Sequence, residues 1–179
     1  IGTCLSAFWI LAANSWMHTP AGYEFVDGVF AVSDWWAVIF NPSFPYRLAH
    51  MLVACYLTTA LVVMGISAWY VYHELHEGFA RTTLTLAIVT ASILAPLQIV
   101  LGDLHGLNTQ EHQPMKVAAM EGRWDTMAGA PLLLIAIPNQ DKARNDFEIG
   151  IPLAASLILQ HDPNGVVKGL KEVPANERP

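Results

Sequence analysis

Three stretches without a single Asp, Glu, Lys or Arg constrain this chain more than any motif in it. They run from Ile1 to Tyr23, from Leu48 to His73 and from Thr82 to Gly102, over 23, 26 and 21 residues. A helix needs about 20 apolar residues to cross the hydrocarbon core of a bilayer. A soluble helix of that length would show a polar stripe every 3.6 residues, and the run MLVACYLTTALVVMGISAWYVY at 51–72 has no charged stripe at all. The stretches therefore predict transmembrane helices at about 1–17, 48–72 and 83–102. Composition agrees. Charged residues are 13% of the 179 and hydrophobic residues 54%, with a mean hydropathy of +0.38; a soluble domain carries roughly 25% charged residues. A net charge of −6 argues against nucleic-acid binding, which needs a basic face. Cys4 and Cys55 each sit inside an apolar run and make neither a disulfide framework nor a CxxC pair.

The expected fold class is all-α: a polytopic transmembrane bundle with three spans, followed by a long extramembrane segment. The third helix carries Thr83, Ala87, Ala91 and Ala95 at spacing four, and small residues at that spacing let helices approach closely in lipid. Pro96 is expected to bend its outer end. The segment 103–179 holds seven of the nine Lys and Arg residues. Its apolar runs Pro131–Ile137 and Ile149–Gln160 are too short to span and are expected at the interface or packed on other parts of the protein. The loop 18–47 has one basic residue, Arg47, at its edge, and the loop 73–82 has Arg81. The positive-inside rule then places 73–82 in the cytoplasm and 103–179 outside. Trp35, Trp36, Trp69, Tyr70 and Tyr72 fit aromatic belts at the two interfaces. The start at Ile1 has no basic flank or cleavage site of a signal peptide, and the end VPANERP is polar; the expectation is an internal piece of a longer protein.

His50 is the sharpest candidate for chemistry. An imidazole in a membrane helix is costly unless it pairs or binds a metal, and a helix-borne His is the usual axial ligand of a haem iron. An interfacial His bonded to backbone explains it equally. Arg47, about one turn away, can pair with a haem propionate or snorkel to the interface. Lys116 and Glu121 lie in KVAAMEGRWD. Five residues apart, they are not an i,i+4 pair, yet they can converge on one ligand at a helix end. A carboxylate there can take the proton that a quinol loses with its electrons; an ordinary amphipathic surface helix is the competing reading, and Arg123 and Trp124 share it. Ser6 and Asn14, eight apart, lie roughly on one helix face. They can line a proton-conducting water chain or make helix–helix hydrogen bonds. The run HELHE at 73–77 does not match HExxH and reads as a solvated turn. Asp103 reads as an interfacial residue at the end of the third helix.

Several blocks together resemble subunit I of the cytochrome bd family of quinol oxidases: SAFWILAANSWMHTPAGYE at 6–24, RLAHMLVACY at 47–56, MGISAWYVY at 64–72, LGDLHG at 101–106, MKVAAMEGRWDT at 115–126, then IPNQ, FEIGIPLAASLI and GLKEVPANERP. The resemblance covers essentially the whole chain, in order. It implies a terminal oxidase of the bacterial inner (cytoplasmic) membrane, multi-pass, that oxidises ubiquinol or menaquinol and reduces dioxygen to water. It also implies two b-type haems, one haem d and a partner, subunit II. Carried over, His50 matches the axial ligand of the low-spin haem b, and Lys116 and Glu121 match quinol-site residues of the Q-loop. Ser6 matches a position on the proton path, and Asn14 one lining the haem d/b pocket. The family pattern puts 18–47 and the 103–179 Q-loop segment in the periplasm and 73–82 in the cytoplasm, with His50 and Glu121 at the same face. The ending GLKEVPANERP looks like the cyanide-insensitive, short-Q-loop branch. The second axial ligand, the His of a high-spin haem and the acidic residues of the proton path and oxygen site have no counterpart in these residues. Two other readings stand beside this one: a haem-b anchor subunit of another respiratory complex, which has no reason to carry the 115–126 block, and a non-catalytic membrane scaffold or transporter piece in which His50 only bonds its neighbours.

Overall fold

The computed structural model describes residues 2–178; the first residue of the expected first span, Ile1, lies outside them. Contacts divide the chain into two compact units, residues 1–105 and 106–179.

In the first unit, α1 covers Gly2–His18, α2 Trp35–Ile39, α3 Phe44–Tyr72, and α4 starts at Glu77 and runs to His112. Helices α3 and α4, 29 and 36 residues long with mean hydropathy 2.0 and 2.2 over their most apolar windows, are long and apolar enough to cross a membrane. Helix α1 has 17 described residues, roughly 26 Å of rise against a core of about 30 Å. Both long helices exceed their expected bounds, for local reasons. Helix α3 begins at Phe44 rather than 48 because Pro45 stands in its first turn, where proline costs no hydrogen bond. Helix α4 begins at Glu77 rather than 83, with an exposed Glu77–Arg81 pair at 3.3 Å on its first turns. It continues through Pro96 and past Gly102 to His112. Charge ends an apolar run but not a helix; what stops α4 is Pro114, which drives the preceding Gln113 out of the helical region, to φ −139° and ψ 57°. The HELHE residues form the turn between α3 and α4, with Glu74 and His76 at positive φ.

The small-residue stripe of α4 is its sheltered side. Ala80 and Ala87 are buried, and Thr83, Ala91 and Ala95 are half-buried. Thr83 and Ser67 of α3 share a hydroxyl hydrogen bond of 2.8 Å. Phe44, 1% exposed, packs edge-on against Phe8 and Phe40. Asn41 ties the end of α1 to the start of α3: its amide nitrogen donates to the carbonyls of Ala12 and Val38, and its oxygen accepts from the Thr19 hydroxyl.

The all-α expectation needs correction. Strands β1 (Tyr23–Val26) and β2 (Val29–Val32) form an antiparallel hairpin in the 18–47 loop. Its turn is Asp27–Gly28, both at positive φ, the pair of conformations that a two-residue hairpin turn demands.

The second unit mixes strands with short helices. After α5 (Pro114–Met120) come β3 (Met127–Ala128), β4 (Leu132–Asn139), β5 (Arg144–Ile151), α6 (Ala154–Gln160) and β6 (Val166–Val167). β4 pairs antiparallel with β5, and β3 with β6. The run expected at 131–137 is therefore mostly β4, and the run at 149–160 divides between β5 and α6. Two small cores hold the unit: Ala118, Trp124 and Leu170 form one, and Ala130, Ala155 and Val167 the other. Fully buried Ser156 links the latter by accepting from the Ala130 amide and donating to the Gly165 carbonyl, both at 2.7 Å.

Candidate functional site

His50 projects from the second turn of α3 and is half-buried. Its neighbours come from α4. The Gln98 amide nitrogen lies 3.2 Å from Nδ1 and 3.1 Å from Nε2, and the His105 ring is 5.7 Å away, centre to centre. An atom that near to both ring nitrogens cannot lie in the ring plane without overlapping ring carbon. Gln98 therefore sits over the imidazole face and along neither in-plane lone pair. Arg47, one turn earlier, donates from Nη1 to Oδ1 of Asn14 on α1 at 2.9 Å. The Arg47 Nε and the Gln98 Oε1 are buried and unpartnered. An imidazole with a lone pair to spare, beside a buried guanidinium N–H in want of an acceptor, fits a haem: the first as axial ligand, the second toward a propionate. The structure thus brings His50, Arg47 and Asn14 to linked positions on α1 and α3. Ser6, on α1, is exposed, whereas Asn14 is half-buried. No three His, Cys, Asp or Glu side chains cluster as a metal site among the described residues.

Glu121 ends α5 as its C-cap residue. Gly122 follows at φ +61°, a left-handed conformation that glycine adopts without strain, and the chain turns there toward Trp124. Glu121 lines a cavity of about 680 Å³ with Trp124, Leu133, Ala136, Asn145 and Leu170. That volume lies within the range of small-molecule pockets, roughly 300–1,000 Å³. Its walls mix apolar side chains with polar ones, with Asp141, Gln140 and Arg178 standing beside Glu121 in the lining. Lys116 sits half-buried within α5 and is not part of that wall; the structure does not bring Lys116 and Glu121 together on one cavity. Arg123, 4% exposed, donates to the Pro131 carbonyl at 2.9 Å. Burial pulls its guanidinium below the ordinary arginine value, and the charges of Glu121 and Glu148 push it back up. Opposite charge around a buried cation is what keeps such a group affordable.

Sequence reasoning passed over Gln98 and Asn145. Gln98 had a signal, a lone amide inside an uncharged stretch. Asn145 had none, since an Asn between charged residues in a loop-like segment is ordinary.

The family model of cytochrome bd terminal oxidase subunit I matches residues 1–179. This chain belongs to that family. Subunit 1 of the cytochrome bd-II ubiquinol oxidase of Escherichia coli is 37% identical over 183 residues, covering 99% of this chain and 35% of the relative. Subunit 1 of the cytochrome bd ubiquinol oxidase of Bacillus subtilis is 32% identical over 97% of this chain and 37% of the relative. The bd oxidase structure from Geobacillus thermodenitrificans superposes with a TM-score of 0.86 at 35% identity, covering 99% of this chain and 41% of that one. The chain thus spans a little over a third of the length of these bd subunits.

Proposed function

We propose that this chain is the quinol-oxidising, low-spin-haem part of a bacterial terminal oxidase that reduces dioxygen to water. In this reading the spans are α1, α3 and α4, the protein is multi-pass in the inner membrane, and 103–179 is the periplasmic Q-loop segment. The complete enzyme would add a high-spin haem b, haem d and subunit II. The observation that carries the reading is Glu121 on the wall of a cavity of about 680 Å³ that Trp124, Leu133 and Leu170 also line.

A quinol must lose two protons as it loses two electrons. The apolar part of the wall, Trp124, Leu133 and Leu170, would hold its ring, and Glu121 beside it would serve as the base. Glu121 would accept a hydroxyl proton beside buried Arg123, whose charge it helps to offset. Lys116, outside the cavity wall, would act on the approach of the quinol rather than on the ring. His50 would supply the axial nitrogen of the low-spin haem b, and Arg47, already oriented by Asn14, would neutralise a propionate. A haem held there would supply one-electron redox chemistry. Ser6 and Asn14 would belong to the proton path and the haem pocket of the complete enzyme. The relatives named above are both ubiquinol oxidases; ubiquinol and menaquinol both satisfy this chemistry.

The test is Glu121→Ala in the intact oxidase. Quinol oxidation should fall at least tenfold, while an artificial one-electron donor still reduces the haems at the normal rate. Equal loss with both donors would assign Glu121 to folding instead.

A further inference from the structure

Asn145 of β5 uses both ends of its amide. Its Oδ1 accepts the Trp124 indole N–H at 2.9 Å. Its Nδ2 donates to the Gly122 carbonyl at 2.9 Å and to Oε2 of Glu148 at 2.9 Å. The orientation of an Asn amide is normally an assignment, but here the partners decide it: an indole is only a donor, and a carbonyl and a carboxylate are only acceptors. A flipped amide would set donor against donor and acceptor against acceptor. The two residues so gripped are not scattered. Gly122 directly follows Glu121, and Trp124 is a wall of the same cavity and part of the small core with Ala118 and Leu170. The Asn145 bond to the Gly122 carbonyl joins the local Arg123 amide to Ala118 carbonyl bond and the long-range Leu170 amide to Arg123 carbonyl bond in holding this left-handed turn.

We propose that Asn145 is a positioning residue of the quinol site, through which the β4–β5 hairpin fixes both the Glu121–Gly122 turn and the Trp124 indole. This rests on the reading of the Glu121 cavity as that site. Asn145 has no proton to give or take in the reaction, so its loss should misplace the two walls rather than remove the base. A typical net hydrogen bond is worth about 1 kcal/mol, and 1.4 kcal/mol is tenfold in an equilibrium. Asn145→Leu, which keeps the size and loses all three bonds, should raise KM for a short-chain quinol about fivefold to tenfold with kcat within about twofold.

The experiment uses the intact oxidase with Asn145→Leu, Asn145→Asp, Trp124→Phe and the pair Asn145→Leu with Trp124→Phe, assayed with a short-chain quinol and with an artificial one-electron donor. The inference expects a raised quinol KM in Asn145→Leu and an unchanged rate with the artificial donor. It also expects the double variant to be no worse than Asn145→Leu alone, because Trp124→Phe removes a donor whose acceptor is already gone. Asn145→Asp keeps the indole's acceptor but sets a carboxylate against the Gly122 carbonyl and the Glu148 carboxylate, so its KM should rise at least as far as in Asn145→Leu; it decides the matter if the Leu variant fails to assemble. A wild-type KM in the assembled variants, equal loss with both donors, or multiplied effects in the double variant would each overturn the inference. Glu121→Gln is measured alongside. If it oxidises quinol normally, the quinol-site reading falls and this inference with it; if it is impaired while the Asn145 variants are normal, only the positioning role falls.

Discussion

His50 owes its prominence to its surroundings: an imidazole set inside a long apolar run has a cost that something must offset. Position alone made it legible. Its setting was not, because Gln98 and His105 reach it from another helix, 48 and 55 places along the chain. Asn145 marks the opposite limit. Nothing in ARNDFE distinguishes its Asn from a surface residue; only the meeting of β5 with the turn after α5 gives its amide three partners. Glu121 lies between these cases, since KVAAMEGRWD was legible as a block while the cavity beside it was not. At this scale the decisive variant is His50→Ala. In the intact oxidase it should abolish the low-spin haem b band of the reduced spectrum while subunit assembly persists; an unchanged band would end the ligand assignment.

Elements were read well where hydropathy governs them and poorly where the backbone does. The long helices were found, yet their ends were set by Pro45 and Pro114 rather than by the charges that bound the apolar runs. Charge marks where lipid ends, and a helix obeys hydrogen bonds instead. The β1–β2 hairpin had a plain signal in YEFVDGVFAV, an Asp-Gly pair flanked by strand-forming residues, which the search for spans overrode. The β4–β5 pair was hidden by its composition, for LLLIAIPN reads equally as an apolar interfacial run. Since Gly28 sits at φ +81°, Gly28→Val should cost about 1–3 kcal/mol at the turn. Faster hydrogen exchange at the Val29 and Ala31 amides would register that loss, and unaltered protection would show that another conformation serves the turn.

The molecule as a whole wears its apolar surface outward. In α3 and α4 only 11% and 6% of the most apolar windows are buried, and Trp69, Ile93 and Ile99 are more than half exposed. A soluble protein could not tolerate a patch so large, so lipid or neighbouring subunits must cover it. The complete subunit should stay monodisperse by gel filtration in detergent and aggregate when detergent is withdrawn; a monodisperse detergent-free protein would contradict the spanning assignment of α3 and α4. This outward surface was the most legible property of the chain, because it depends on composition and run length and hardly on pairing.

Helix α4 also carries its own depth gauge. Arg81 and Asp103 are its charged residues on either side of the apolar run, and 22 residues of rise separate them by about 33 Å, nearly the thickness of the oil layer itself, about 30 Å. In the spanning reading the rod can neither sink nor rise without dragging an ion into oil; Gln98, five residues short of Asp103, would stand about 7.5 Å below that waterline, and the His50 ring beside it at the same shallow level, a short hop from the aqueous rim.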